Sequence, residues 1–162
     1  MQEWLRQTVT DLGRGIGSGD IDPVDLTGTY LDAINGHPEK DRIYARVTEG
    51  RALAEAEAAS NRQKSGARLS ALDGVPISWK DLFDTAGDGT EAGSLLLEGR
   101  VPDRDAQVLA NAKAHGLVCL GKTHMSELAF SGLGLNPSTA TSPNVNDPDA
   151  VPGGSSLSLI HI

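Results

Sequence analysis

The sequence predicts an α/β fold, and three observations carry that expectation. The first third repeats apolar residues at helical spacing. Two short apolar runs, at 75–79 and 117–121, have the texture of buried strands, and a helix-like stretch lies between them. Strand, helix and strand in that order make an α/β layer with a parallel component. The chain has 162 residues, enough for one domain with a sizeable core but not comfortably for two. Hydrophobic residues are 38% of the chain and aromatics only 4%, so the core falls to Leu, Ile, Val and Ala.

Each element has its own local cause. Leu5, Val9, Leu12 and Ile16 share one helical face at the start of the chain. A second helix follows in "IDPVDLTGTYLDAING", with Asp22 as cap and Pro23 in the first turn. Its Leu26, Tyr30 and Ile34 recur every fourth residue, and Gly36 and Pro38 stop it. "IYARV" reads as a short strand, and the Ala-rich stretch from Thr48 as a third helix closed by Gly66. The texture then changes near residue 72. Val75 to Trp79 is a strand between turn residues, and "DRDAQVLANAKAHG" a helix with acids at its start and Gly116 as its stop. "LVCLG" is a buried strand and "KTHMSELAF" a helical turn or short helix. From Ser131 the chain is rich in Gly, Pro, Asn, Ser and Thr, and loops of that length in compact domains are functional or disordered.

Charge and composition narrow the function classes. A net charge of −8 without a long basic run argues against direct nucleic-acid binding. No stretch is long and apolar enough for a membrane span, and the first residues lack the apolar centre of a signal peptide, which predicts a cytoplasmic protein. The single Cys119 sits in an apolar strand and reads as inert packing; it rules out an internal disulfide. His37, His115 and His124 share no metal-ligand spacing, so no metal site is expected.

Residues 116–123, "GLVCLGKT", match the phosphate-loop pattern letter for letter. That loop requires a strand before its first glycine and open backbone between its glycines, whose amides cradle phosphate. Here a helix precedes Gly116, and Leu, Val, Cys and Leu fill the gap. Those residues form a strand, whose amides are committed to a ladder. A nucleotide-binding reading is therefore set aside.

Lys80 closes an apolar strand and is followed at once by Asp81. By itself this is either a lysine snorkelling at a strand end or a half-buried amine of lowered pKa able to act as a base. Its company decides. "GVPISWKDLFDTAG" with "AGS" soon after, "GKTHMSELAF" and "PGGSS" stand in order, and 75 residues separate Lys80 from Ser155. Together these segments, over about residues 72–156, resemble the amidase signature family of serine hydrolases.

The resemblance implies the N-terminal part of one amidase signature domain over 1–156, helical in 1–66 and carrying the catalytic α/β segment in 72–156. The family's mixed sheet, covered by helices, would then be incomplete here. It also implies a Ser–cisSer–Lys triad, with Lys80 as base and Ser155 as the bridging serine that relays a proton to a nucleophilic serine. Gly153 and Gly154 form the turn at the site, and Ser156 is a structural hydrogen-bonder. Ala129, Phe130 and Ser131 fall where the family lines its substrate pocket. Trp79 stands where the family has a small aliphatic residue, in a slot that is apolar in both cases. The implied chemistry is acyl transfer from a small amide, needing no metal or organic cofactor. The runner-up within the family is the glutamine-hydrolysing subunit of a tRNA-dependent amidotransferase, which alone would imply partner subunits. "FSGLGLNP" does not resemble that subunit's loop, which favours a stand-alone amidase. A homo-oligomer is left open.

The resemblance breaks at the end. Only seven residues follow Ser155, too few to reach the family's nucleophilic serine and oxyanion amides. The codons CTG TCT CTT ATA CAC ATC would encode "LSLIHI", and that string resembles a transposase end used in sequencing libraries. Residues 157–162 are accordingly read as an adaptor-derived tail, and the chain as a fragment inactive by itself.

Overall fold

The structure, a computed structural model, describes residues 3–154. Five α-helices are found among them: α1 (Val9–Ser18), α2 (Pro23–Asn35), α3 (Lys40–Ile43), α4 (Glu49–Lys64) and α5 (Gln107–Ala114). Three strands, β1 (Tyr44–Val47), β2 (Pro76–Lys80) and β3 (Val118–Thr123), hydrogen-bond in the order β1-β3-β2. The Val118 N–H donates to Val75 O, and the Asp81 N–H to Thr123 O, so β2 and β3 run parallel. The Thr48 N–H donates to Leu120 O and the His124 N–H to Ile43 O, a pairing that advances in opposite directions and makes β1 antiparallel to β3. The α/β expectation holds, with a mixed three-stranded sheet. No helix among the described residues is long and apolar enough to cross a membrane.

Element boundaries differ from the spacing wherever local chemistry overrides it. Thr8 caps α1 by accepting the Asp11 N–H, so Leu5 precedes the helix in a 3-10 turn, Trp4–Arg6, and the buried face is carried by Leu12 and Ile16. Asp22 and Pro23 start α2 as the sequence indicates, the Asp22 carboxylate accepting the Val24 N–H at 2.8 Å. Helix α5 is shorter than expected because Asp105 accepts the Ala86 N–H instead of joining a first helical turn. In "KTHMSELAF" Lys122 and Thr123 extend β3, and the helical turn is confined to a 3-10 turn, Glu127–Ala129.

The chain forms two compact units. One comprises residues 3–37, 48–78 and 110–121; the other comprises 38–47, 79–109 and 122–154. In the first, Leu12, Ile16, Ile21, Leu26 and Val75 form the buried core, flanked by Trp4, Tyr30 and Leu72. Helices α2 and α4 pack closely because α4 presents only Ala52, Ala56 and Ala59 as its buried apolar face. Gly74 is required at this approach: its φ is +91°, and a Cβ there would lie 2.8 Å from the Pro23 ring. Asp73 then ties helix to strand. Its fully buried carboxylate accepts Arg62 Nε at 2.9 Å and Nη2 at 2.7 Å, and the Leu69 N–H at 2.9 Å.

The second unit is held by loops rather than by helices. Asn136, fully buried, donates both amide hydrogens, to Gly93 O and Met125 O, each at 2.7 Å. Its Oδ1 accepts the Ser138 and Thr139 N–H groups at 3.0 and 3.2 Å. One side chain thereby joins three loops with all its hydrogen-bonding capacity engaged.

These two anchors can be tested by unfolding. Burial opposes the charge on Asp73, but the Arg62 guanidinium and the Leu69 N–H outweigh it and hold the carboxyl below its ordinary value. A carboxyl depressed in the folded state contributes its full stabilisation above the unfolded pKa of about 4 and loses it as pH falls through the folded pKa. Denaturant unfolding should show stability dropping in that acid window, and Asp73→Asn should flatten the drop; Arg62→Met, which strands the carboxylate, should cost about 3 kcal/mol at neutral pH. In the second unit, Asn136→Ala should cost about 2 kcal/mol by the same measurement, because it leaves buried carbonyls unsatisfied. Gly93→Ala should destabilise too, since φ is +63° and a Cβ would lie 2.6 Å from Asn136 Nδ2.

Candidate active site

Lys80 is the last residue of β2 and is half-buried. Burial pushes its amine below the ordinary lysine value. The preceding Trp79 packs edge-on against Phe83, with centroids 5.6 Å apart and planes at 75°, which closes an apolar side of the strand end. Trp79 O also accepts the Thr123 hydroxyl at 3.3 Å, so a side chain of β3 helps tie the backbone that precedes Lys80.

Asp81, next in sequence and almost wholly buried, organises what surrounds the lysine. Its N–H donates to Thr123 O and its carbonyl accepts the Ala92 N–H, both at 3.0 Å, while Oδ2 accepts the Glu91 N–H at 3.1 Å. Oδ1 meets two cations, Lys122 Nζ at 3.3 Å and Arg46 Nε at 3.7 Å. Lys122 is 0% exposed and also donates to Thr90 Oγ1 at 2.8 Å and to Gly89 O at 3.4 Å. Arg46 reaches Glu91 Oε2 at 2.7 Å, and Glu91 Oε1 accepts the Gly99 N–H at 2.9 Å. That backbone bond, reinforced by Arg46 and opposed by burial, holds the Glu91 carboxyl below its ordinary value. Charges from β1, the end of β2 and β3 thus converge on the loop 88–92.

The loop leads to strained backbone. Ala92, Leu128 and Ala129 adopt left-handed φ values of 49°, 49° and 60°, uncommon for residues with a Cβ. The Leu128 N–H donates to Ala92 O at 2.9 Å, and the Ser94 hydroxyl to Glu127 Oε1 at 2.7 Å. A hydrogen-bonded path therefore runs from Asp81 through Ala92 to the turn containing Ala129. Left-handed non-glycine residues cost of order 1–3 kcal/mol each and concentrate where geometry serves a function.

The other residues singled out in the sequence lie as follows. Ala129 is exposed, and the Phe130 side chain is 93% exposed. Ser131 is half-buried, and its Oγ accepts the Leu133 N–H at 3.1 Å. The Gly153 N–H donates to Leu133 O at 3.0 Å, and a Cβ on Gly154 would stand 2.7 Å from Ser131 O. The structure thus brings the 131–133 stretch against the glycine pair, at an approach only glycine permits. Ser155 and Ser156 lie outside the described residues, as does the tail 157–162. Gly121 and Lys122 lie inside β3, the Gly116 and Leu117 N–H groups donate to Lys113 O and Ala112 O at the end of α5, and the Cys119 N–H donates to Glu55 Oε2, so this stretch is not an open phosphate cradle. Cys119 is buried, and burial pushes its thiol up, as suits an inert packing residue.

Sequence reasoning missed Arg46, Thr90, Lys122 and Asn136. The sign for Lys122 was available: continuing the strand of "LVCLG" by two residues places a lysine within a buried run. Arg46 and Thr90 act on partners distant in sequence and carry no local signal, and the Asn136 side chain joins its neighbours Ser138 and Thr139 to the distant Gly93 and Met125.

The amidase family model matches residues 25–156. A glutamyl-tRNA(Gln) amidotransferase subunit of Myxococcus xanthus is 42% identical over 151 residues, which are 92% of this chain and 31% of that protein. Its counterpart in Streptomyces coelicolor is 36% identical over 155 residues, 96% of this chain and 31% of that protein. Among solved structures, the peptide amidase of Stenotrophomonas maltophilia superposes with a TM-score of 0.84 at 31% identity, covering 93% of this chain and 32% of that one. The chain spans about a third of the length of these relatives, and over that third, from α2 through the loop that carries Gly153 and Gly154, it belongs to the amidase family.

Proposed function

We propose that this chain is the N-terminal third of a hydrolase that cleaves the C–N bond of a carboxylic amide, with Lys80 as its general base. The observation that carries the reading is the placement of Lys80: half-buried at a strand end, its amine depressed by burial, beside a hydrogen-bonded frame of left-handed residues. Ser155 would relay the proton from a nucleophilic serine to neutral Lys80, and return it to the departing amine. The bond to the amide nitrogen breaks as an acyl-enzyme forms, and water then releases the acid. Ala129, Phe130 and Ser131 would line the acyl or leaving-group pocket, and Gly153 and Gly154 would shape the turn. The nucleophile and oxyanion amides belong to sequence beyond Ser156, with 157–162 as foreign text.

The names of the curated relatives favour a second reading, that of an amidotransferase component releasing ammonia from glutamine beside partner proteins. The solved peptide amidase favours a stand-alone enzyme. Comparing simple amides with glutamine as substrates separates the two.

The test is amide hydrolysis by the gene product that continues past Ser156 in family sequence. Lys80→Ala should lower kcat by about 10²–10⁴-fold with little change in KM. Because the base must be neutral, activity should rise with pH and level off below the ordinary lysine value of about 10.4. The 162-residue chain itself should not turn over amides; turnover abolished by Lys80→Ala would overturn the view that it is incomplete.

A further inference from the structure

We infer that Asp81 and Lys122 are positioning residues for Lys80, a buried ion pair that occupies the neighbouring carboxylate and fixes the loop 88–92, so that this carboxylate does not hold Lys80 in its protonated form. The inference rests on reading Lys80 as the base, and it assigns work to two charged residues outside the triad. A carboxylate next in sequence to a base lysine is a hazard, since it favours the protonated amine. Here that carboxylate is committed elsewhere: to Lys122 at 3.3 Å, to Arg46 at 3.7 Å and to the Glu91 N–H at 3.1 Å. Lys122, fully buried on the central strand, is in turn held by Thr90 Oγ1 at 2.8 Å and Gly89 O at 3.4 Å. The other charged groups that face the pair come from separate elements. Arg46 comes from β1 and Glu91 from the loop, His124 follows β3 and feels Asp81, and Asp84 follows β2 and feels Lys122.

Two features make this more than packing. The pair sits where β2 ends, so its loss acts on the backbone that carries Lys80. The same Asp81 also accepts the Ala92 N–H, which begins the path to the left-handed turn at 128–129. Lysine base and pocket turn are therefore set by one buried group.

The test reads Lys80 directly and needs no turnover. The whole chain has five lysines, at 40, 64, 80, 113 and 122. Reductive methylation with ¹³C-formaldehyde gives one NMR signal per accessible lysine, and Lys80→Arg assigns the one of interest. In the unaltered chain Lys80 should titrate below the other accessible lysines; an ordinary midpoint would defeat the base reading itself, separately from the pair. Lys122→Met, which uncovers the carboxylate, should raise the Lys80 midpoint and cut its neutral fraction about tenfold at a fixed pH. Asp81→Asn, which keeps an acceptor for the Glu91 N–H, should move the midpoint the opposite way. Opposite signs are the signature, because loosening of the fold would expose Lys80 and raise the midpoint in both. If Lys122→Met unfolds, a lowered midpoint in Asp81→Asn carries the inference. Unmoved midpoints, shifts of the same sign, or unfolding of both variants would overturn it and leave the pair purely structural.

Discussion

The contact on which the second unit turns is the one between the Asp81 carboxylate and Lys122. Taking both charges out of water costs several kcal/mol per ion, and their attraction repays this only when the remaining donors and acceptors are also met. Here the Glu91 N–H, Thr90 and Gly89 meet part of that need. Asp81 Oδ1 and Arg46 Nε, 3.7 Å apart, are held by charge alone and make no hydrogen bond among the described residues. A pair of this kind adds little net stability over an apolar pair of the same shape. What it settles is direction: it decides which way the chain leaves β2 and where the loop 88–92 lies. The left-handed turn at 128–129 inherits its place through Ala92, and the Asn136 amide locks the result by joining Gly93 to Met125.

The two units meet the demands of folding differently. The first relies on apolar side chains at helical spacing and on small residues that let α2 and α4 approach. The second has few buried aliphatic residues and uses polar groups instead, Asn136, Lys122 and Thr90 among them. Such polar frames specify a geometry sharply, and they lose it sharply when one member is removed.

How much of this was legible follows from the same division. Asp22 with Pro23, the four-residue repeat of α2 and the alanines of α4 are local signals, and the first unit is built from local signals. Lys80 at a strand end could be read because its apolar run precedes it directly. The bonds that give Lys80 its setting could not be read, since Arg46 and Asp81 are 35 residues apart and Asn136 lies 43 residues from Gly93. That Lys122 and Thr123 belong to β3 and not to the turn of "KTHMSELAF" has the same root: a lysine signals exposure unless its carboxylate partner is known. The glycine pair 153–154 was visible in the sequence, but its approach to Ser131 was not.

The distribution of tryptophan gives the two units separate optical reporters. Trp4 flanks the apolar core of the first unit, and Trp79, beside Lys80, belongs to the second. The chain has no other indole, so Trp4→Phe and Trp79→Phe would each leave a single emitter dedicated to one unit. Fluorescence of the pair would then show whether the helical unit, with its local contacts, forms ahead of the loop-built one, whose partners must first find each other across long stretches of chain.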